Sequence, residues 1–121
     1  MKNKIAYQGT RGSYSEALLI DKFEKSDHYP KDSFIEVIES IKNNEVNFGL
    51  LPIENSIAGT VVDSYEELIN SSIPINAEYM YKITHSLIGL KGTKIEDILE
   101  VHSHPQALQQ CKSFLKDMLY K

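Results

Sequence analysis

Side chains that can bind or protonate a small molecule are concentrated in three short stretches of this 121-residue sequence. They are GTRGSYS at residues 9–15, PIENSIAGT at residues 52–60 and HSHPQ at residues 102–106. Each follows an apolar run that predicts a strand and precedes a segment that predicts a helix. In open α/β sheets, ligands bind at such connections, where the unpaired N–H groups of helix starts favour anions. The pattern therefore predicts a cleft for a small carboxylated or phosphorylated molecule.

The candidate binding residues in these stretches supply guanidinium, hydroxyl, carboxylate, amide and imidazole groups, together with backbone at one glycine. They are Gly9, Arg11, Ser13, Glu54, Asn55, Ser56, Ser103, His104 and Gln106. Arg11 can clamp a carboxylate through two parallel hydrogen bonds. Nothing in the spacing alone selects a particular reaction.

Each of the same motifs also has a purely structural explanation. The G-x-x-G spacing suits a simple turn, and Glu54 suits a helix terminus. His104 can cap a helix, as can a capping box formed by Ser103 with Gln106. Only their joint occurrence at equivalent strand ends favours a binding site.

The other reactive residue types give no further candidate site. Cys111 lies on the apolar stripe of a predicted helix, so we expect a core residue rather than a nucleophile. His85, His102 and His104 suggest a metal, but the last two have no third ligand at a recognised spacing. We therefore expect no metal.

The composition is that of an ordinary globular protein, with 41% hydrophobic residues, 25% charged residues and a net charge of −4. The basic residues are scattered, which is not typical of a nucleic-acid binder. The start, MKNKIAYQGT, lacks the apolar segment of a secretory signal, and no apolar run approaches membrane-spanning length. A single cysteine suits a reducing compartment. We expect a cytoplasmic protein of one domain or two small lobes, without a nucleic-acid or membrane partner.

The first half of the chain alternates predicted strands and helices. KIAYQ and FGLLPI predict short strands that are buried on both faces. Two capping boxes, each a serine followed three residues later by a glutamate, begin at Ser13 and Ser33 and predict helices. Thr60 is predicted to cap a third helix. Such alternation favours an α/β fold with a mainly parallel sheet.

The pattern changes after NSSIP at residues 70–74. INAEYMYKI, at residues 75–83, alternates apolar and polar side chains and predicts a strand with one wetter face. A third capping box at Thr93 predicts a brief helix over IEDIL, and EVHS predicts a further strand. HPQALQQCKSFLKDMLYK predicts one helix with Pro105 in its first turn. NSSIP is predicted to mark the passage from a first lobe to a second.

Four strings, YQGTRGSYSEA, LPIENSIAGTV, ITHSLIG and VHSHPQALQQC, resemble the catalytic region of the prephenate dehydratase family. The resemblance extends from about Tyr7 to Cys111, and its second and fourth strings are long and distinctive. Thr10 is a departure, since the family often has proline there. The family makes phenylpyruvate in phenylalanine biosynthesis.

The resemblance implies two α/β lobes, similar to type 2 periplasmic binding proteins, with mainly parallel sheets and with substrate between the lobes. Residues 1–76 would form the first lobe and residues 77–121 part of the second. The resemblance also implies the reaction: prephenate, a dicarboxylate, loses its ring hydroxyl as water and its ring carboxylate as carbon dioxide, without a cofactor. Arogenate as substrate, and a small-anion-binding module without catalysis, are the alternatives.

By motif, the resemblance implies catalytic roles for Asn55 and Gln110. Substrate-binding roles are expected for Glu54, Ser56, Ser103, His104, Gln106, Gly9, Arg11 and Ser13. Family members carry a Thr-Arg-Phe-like motif further downstream, and often a regulatory ACT domain, and we expect both to be missing here. The prediction is therefore a catalytic region truncated at its C-terminus, with weak or no activity alone. We also expect a homo-oligomer, as is usual in the family.

Overall fold

A parallel three-stranded sheet organises the first half of the protein in the computed structural model, which describes residues 2–119. Its order is β2-β1-β3, with β1 (Lys4–Gln8) between β2 (Asp27–Lys31) and β3 (Phe48–Leu50). The sheet confirms the predicted α/β class and the strand at KIAYQ. A strand within FGLLPI is also confirmed, although it ends after its third residue.

Two helices cover opposite faces of the sheet. Successive side chains of β1 point to opposite faces, so each helix packs against a different set of them. α1 (Tyr14–Lys22) packs on one face and α2 (Phe34–Lys42) on the other. The buried clusters are Ile5, Tyr7 and Leu19 on the first face, and Ala6, Val37 and Val46 on the second. The central strand is therefore buried on both sides, which explains its continuous apolar sequence.

Both predicted capping boxes begin their helices as expected. The Ser13 hydroxyl accepts a hydrogen bond from the amide of Glu16 at 3.3 Å. The Ser33 hydroxyl accepts one from the amide of Glu36 at 3.2 Å. These bonds satisfy backbone donors that have no partner inside the helix, so the starts of α1 and α2 are fixed locally.

The third helix, α3 (Val62–Ser71), does not begin at Thr60 as predicted. Thr60 lies in β5 (Gly59–Thr60), which pairs with β4 (Glu54–Asn55). The two strands form an antiparallel hairpin, and each is two residues long. Val61 takes the cap position, and no side chain caps this helix start. The prediction was wrong because a tight hairpin, and not a direct strand-to-helix turn, follows β3.

The described chain divides into two compact units between Tyr81 and Lys82. Within the first unit, the rings of Phe23 and Tyr79 meet edge to face with centroids 5.4 Å apart. The segment that follows α3 therefore packs at the end of α1. The lobes expected at residues 1–76 and 77–121 stay predictions.

The strands predicted for INAEYMYKI and EVHS are not present. A strand is stable only when its backbone pairs with another, and neither segment pairs with any strand in residues 2–119. Several apolar side chains in and between these segments are almost fully exposed, including Met80 at 94%, Ile88 at 88% and Leu99 at 89%. The alternating pattern was real, but the described residues contain no partner for it.

The second unit contains a 3-10 turn (Ile95–Asp97) and two helices, α4 (Pro105–Gln110) and α5 (Lys112–Leu119). The capping box predicted at Thr93 was wrong, because Lys94 precedes the turn and no side chain caps it. Pro105 begins α4, as predicted. The single helix predicted over this region is interrupted at Cys111, and its last two residues lie outside the described range.

None of the helices in the described range has the length and apolar character needed to cross a lipid bilayer.

Candidate functional site

The loop between β1 and α1 is built around two glycines. Gly9 has a φ of +128° and Gly12 a φ of +88°. Residues other than glycine rarely adopt such positive φ angles. The loop is fixed at both ends, since the Gly9 amide donates to the Lys31 carbonyl at 3.0 Å and Ser13 caps α1. Arg11 lies between the glycines and is exposed. Gly9, Arg11 and Ser13 therefore belong to one structured loop.

A residue that the sequence analysis treated only as a helix cap, Glu16, links this loop to the core. Its carboxylate accepts a hydrogen bond from the Tyr7 hydroxyl at 2.6 Å and one from the Gly12 amide at 3.4 Å. Tyr7 is only 1% exposed. Burial, together with the bond to Glu16, raises the pKa of Tyr7 to about 12. The Tyr7 bond in turn lowers the pKa of Glu16, so this carboxylate stays ionised.

An open groove of about 470 Å³ runs beside α1 on the side of β2. Its lining residues are Arg11, Glu16, Ile20, Ser26, Asp27, His28 and Tyr29. The charges of Arg11 and His28 both lower the pKa of Glu16, although less than the Tyr7 bond does. The groove thus brings two basic side chains near the Glu16 carboxylate, a cluster that sequence spacing did not reveal.

In the PIENS stretch, Asn55 shapes the backbone. Its Oδ1 accepts hydrogen bonds from the amides of Ile57 at 2.9 Å and Ala58 at 3.0 Å, which closes the turn between β4 and β5. The side-chain oxygen of Asn55 therefore serves the turn. Glu54 and Ser56 flank Asn55 and are exposed. The structure brings the three residues together in one hairpin, and their predicted roles stay predictions.

At the start of α4, His104 is the capping residue. Its Nδ1 accepts a hydrogen bond from the Gln106 amide at 3.1 Å. This confirms the structural alternative for His104 and makes the capping box at Ser103 the weaker of the two explanations. Ser103 is exposed, immediately before the cap.

Gln110, at the end of α4, has a partner that the sequence analysis did not assign. Its Oε1 lies 2.5 Å from Nε2 of His85. A hydrogen bond to Oε1 requires the proton on Nε2 of His85, and it orients the Gln110 amide. His85 was considered only as a metal ligand. Among residues 2–119, no three His, Cys, Asp or Glu side chains are grouped so that they could hold a metal ion.

Comparison with protein families gives a match over residues 5–121 to the family described as prephenate dehydratase. Arogenate dehydratase 2 of Petunia hybrida is 38% identical over 93% of this chain and 28% of its own length. A prephenate dehydratase of Lactococcus lactis is 38% identical over 94% of this chain and 40% of its own length. The chain thus spans well under half of the length of these curated relatives.

Solved structures that resemble the protein include a prephenate dehydratase and a protein described as an acylase. The prephenate dehydratase of Streptococcus mutans is 34% identical, with a TM-score of 0.53 over 56% of this chain and 36% of that one. GqqA, described as a novel type of quorum quenching acylase, is 27% identical, with a TM-score of 0.77 over 95% of this chain and 42% of that one. The second match covers nearly all of the chain and supports the α/β class.

Proposed function

The chain belongs to the prephenate dehydratase family, and we propose that it carries substrate-binding residues of an enzyme that converts prephenate to phenylpyruvate, water and carbon dioxide. The observation that carries the proposal is the family match over residues 5–121, which contains every stretch singled out above. The structured loop around Arg11 and the hairpin around Asn55 are consistent with it. Since the relatives are much longer, the proposal concerns the enzyme to which these residues contribute.

The reaction demands little covalent chemistry from the protein. The bond between the ring and its carboxylate breaks, and its electron pair completes the aromatic ring as the C–O bond to the hydroxyl breaks. The hydroxyl departs with a proton as water, so it needs a donor or a strong hydrogen bond. Donors placed around a dianion therefore suffice for this chemistry.

We assign the donors as follows. Arg11, in the loop beside α1, binds one substrate carboxylate through its guanidinium group. Asn55 donates from Nδ2, and Gln110 donates from the amide nitrogen while His85 engages its oxygen. Ser103 contributes its hydroxyl. Glu54, Ser56, His104 and Gln106 shape the surroundings of these groups.

The setting that we propose for this activity is the cytoplasm, with a small-molecule dicarboxylate as partner and with self-association of the enzyme. The net charge of −4 with scattered basic residues supports a small-molecule partner rather than nucleic acid. Sedimentation of the purified protein over a concentration series would test self-association, and a single monomeric species throughout would contradict it.

The experiment that tests the function is a calorimetric titration of the protein with prephenate, followed by a phenylpyruvate assay on the same sample. An unrelated dicarboxylate such as succinate serves as the control ligand. Arg11→Ala is expected to weaken prephenate binding roughly tenfold, the loss of one charged hydrogen-bonded contact. Lys42→Ala, which removes an exposed positive charge at the end of α2, is the matched control and should not change affinity. Equal affinity for prephenate and succinate would refute the proposal.

A second substrate is favoured by one observation, since a relative 38% identical to the chain is named arogenate dehydratase. Arogenate carries an amino group where prephenate has a keto group, and the ring chemistry is the same. Titrating both compounds decides between them. Because one similar structure is described as an acylase, an N-acylated amine belongs in the same assay, and its hydrolysis would argue for that chemistry instead.

A further inference from the structure

The Glu16 carboxylate connects the buried core to Gly12, in the loop before α1. One oxygen accepts from the hydroxyl of Tyr7, whose ring is buried beneath the helix, at 2.6 Å. The other accepts from the backbone amide of Gly12 at 3.4 Å. The amide of Glu16 is itself held by the Ser13 hydroxyl at 3.3 Å. One side chain therefore ties a core tyrosine, a loop glycine and a helix start together.

The loop needs such a tie because of its own sequence. Two glycines with positive φ flank the Thr10–Arg11 pair, and glycine loses more conformational freedom on ordering than any other residue. Arg11 has no buried packing of its own, since it is exposed. Without a fixed point at Gly12, the guanidinium would sample many positions. Holding Gly12 in place restricts where Arg11 can reach.

A comparison with Glu36 indicates that the contacts of Glu16 do more than cap a helix. It occupies the equivalent capping-box position in α2, and its carboxylate accepts from the amide of Asp32 at 3.2 Å, just as Glu16 accepts from Gly12. Glu16 differs in its second partner, the buried Tyr7 hydroxyl, and in its closeness to Arg11, whose charge lowers the pKa of Glu16. The additional bond anchors the Glu16 carboxylate to the buried core.

We propose that Glu16 is a positioning residue, which fixes the loop at residues 9–13 so that Arg11 is presented to a carboxylate of the ligand. The inference deepens the proposed function and rests on it for the identity of that carboxylate. Glu16 acts through the Gly12 amide and the charge of Arg11, and it does not itself contact an anionic ligand, because two carboxylates repel each other.

The test compares Glu16→Ala, Glu16→Gln, Tyr7→Phe and the matched control Glu36→Ala with the unchanged protein. Calorimetry with prephenate measures affinity, thermal unfolding measures stability, and NMR relaxation of the Gly12 amide measures loop motion. Glu16→Ala is expected to bind prephenate roughly tenfold more weakly and to mobilise Gly12, the loss of about one hydrogen bond to a charged group. Glu16→Gln keeps one acceptor oxygen for the Gly12 amide but loses the charge beside Arg11, so it should restore part of the affinity. Tyr7→Phe keeps the ring in the core and should weaken binding in the same direction.

Glu36→Ala separates positioning from stability. It removes a cap of the same kind, so it should lower the unfolding temperature without changing affinity or the relaxation of Gly12. The inference is overturned if Glu16→Ala binds as the unchanged protein does, or if Glu36→Ala loses as much affinity as Glu16→Ala. If the unchanged protein does not bind prephenate, the proposed function of the loop fails. An immobile Gly12 in Glu16→Ala would then overturn the positioning role separately, and a mobile one would support it.

Discussion

Replacing Gly49 by alanine is expected to destabilise the first unit, because β3 and α2 leave no room for a methyl group between them. Gly49 is the middle residue of β3, and a Cβ there would lie 2.7 Å from Cγ1 of Val37 and 2.8 Å from Cδ1 of Ile41. Both distances are below any ordinary contact between carbon atoms. The close approach matters for the site, since β3 leads directly into the PIENS hairpin.

The loss of stability in Gly49→Ala depends on which of the neighbouring side chains can move away. The Ile41 methyl is the end of a half-buried, flexible side chain and can rotate away, whereas Val37 is fully buried, short and β-branched. Overpacking of this kind costs about 1–3 kcal/mol, and the reduced freedom of the unfolded chain offsets about 0.4–1 kcal/mol of it. We therefore expect Gly49→Ala to lower the free energy of unfolding by about 1–2 kcal/mol.

Urea unfolding followed by circular dichroism measures this change, and Gly89→Ala is the matched control. A Cβ at Gly89 would meet only Thr93, at 3.8 and 3.9 Å, so the control should lie within about 0.5 kcal/mol of the unchanged protein. In the double variant with Val37→Ala, the clash with Cγ1 disappears, and the two substitutions should cost less together than the sum of their separate costs. A Gly49→Ala protein of unchanged stability, or strictly additive costs, would refute the geometry.

Three further predictions concern the polar contacts of the site. Asn55→Ala removes the acceptor of the hairpin turn, so hydrogen exchange of its two amides should accelerate roughly threefold to tenfold, whereas Asn55→Asp keeps the acceptor. Equal exchange in both variants would contradict the turn role. His85→Phe should shift the side-chain amide resonances of Gln110, and His102→Phe, a control at an exposed histidine, should leave them in place. Unshifted resonances in His85→Phe would mean that the contact is not formed. Since the pKa of Tyr7 is about 12 when folded against 10.0 ordinarily, the unfolded chain loses this proton first, and stability should fall as pH rises from 10 to 12. In Tyr7→Phe this part of the alkaline loss should be absent, and an identical pH profile would contradict the buried hydroxyl.

What the sequence predicted well is what neighbouring residues decide. The capping serines at residues 13 and 33 bond to amides three positions away, so the starts of α1 and α2 could be read from a four-residue window. Pro105 and His104 marked the start of α4 in the same local way. β1 was recognisable because burial on both faces requires a continuous apolar run.

The elements that were missed or wrongly assigned depend on distant partners. β2, with the sequence DHYPK, has little strand character, and it is a strand because β1 offers it a full ladder at the sheet edge. INAEYMYKI is the opposite case: its sequence alternates clearly, as in a strand, but no strand among the described residues pairs with it. Propensity is a weak guide wherever pairing decides the structure.

In the candidate site, too, the features set by neighbouring residues could be predicted, and those that depend on distant partners could not. The loop residues Gly9, Arg11 and Ser13 could be named from one motif, whereas the bonds from Tyr7 to Glu16 and from His85 to Gln110 could not. The two bonds join residues that are 9 and 25 positions apart in the sequence. No periodicity or spacing rule connects such pairs. They become visible only when the strands and helices have been placed.

The motif residues share one property that bears on how they should be tested. Asn55 closes a turn, His104 caps a helix and Glu16 holds a loop, so each already has a backbone partner. Alanine at any of them removes a structural bond together with any contact to a ligand, and a loss of binding would not distinguish the two causes. Asn55→Asp keeps an acceptor for the turn amides and changes the charge and the donors, and Glu16→Gln keeps one acceptor oxygen for the Gly12 amide and removes the charge. The roles of these residues in binding are therefore decided by the difference between the alanine and the acceptor-retaining variants, and not by either alone.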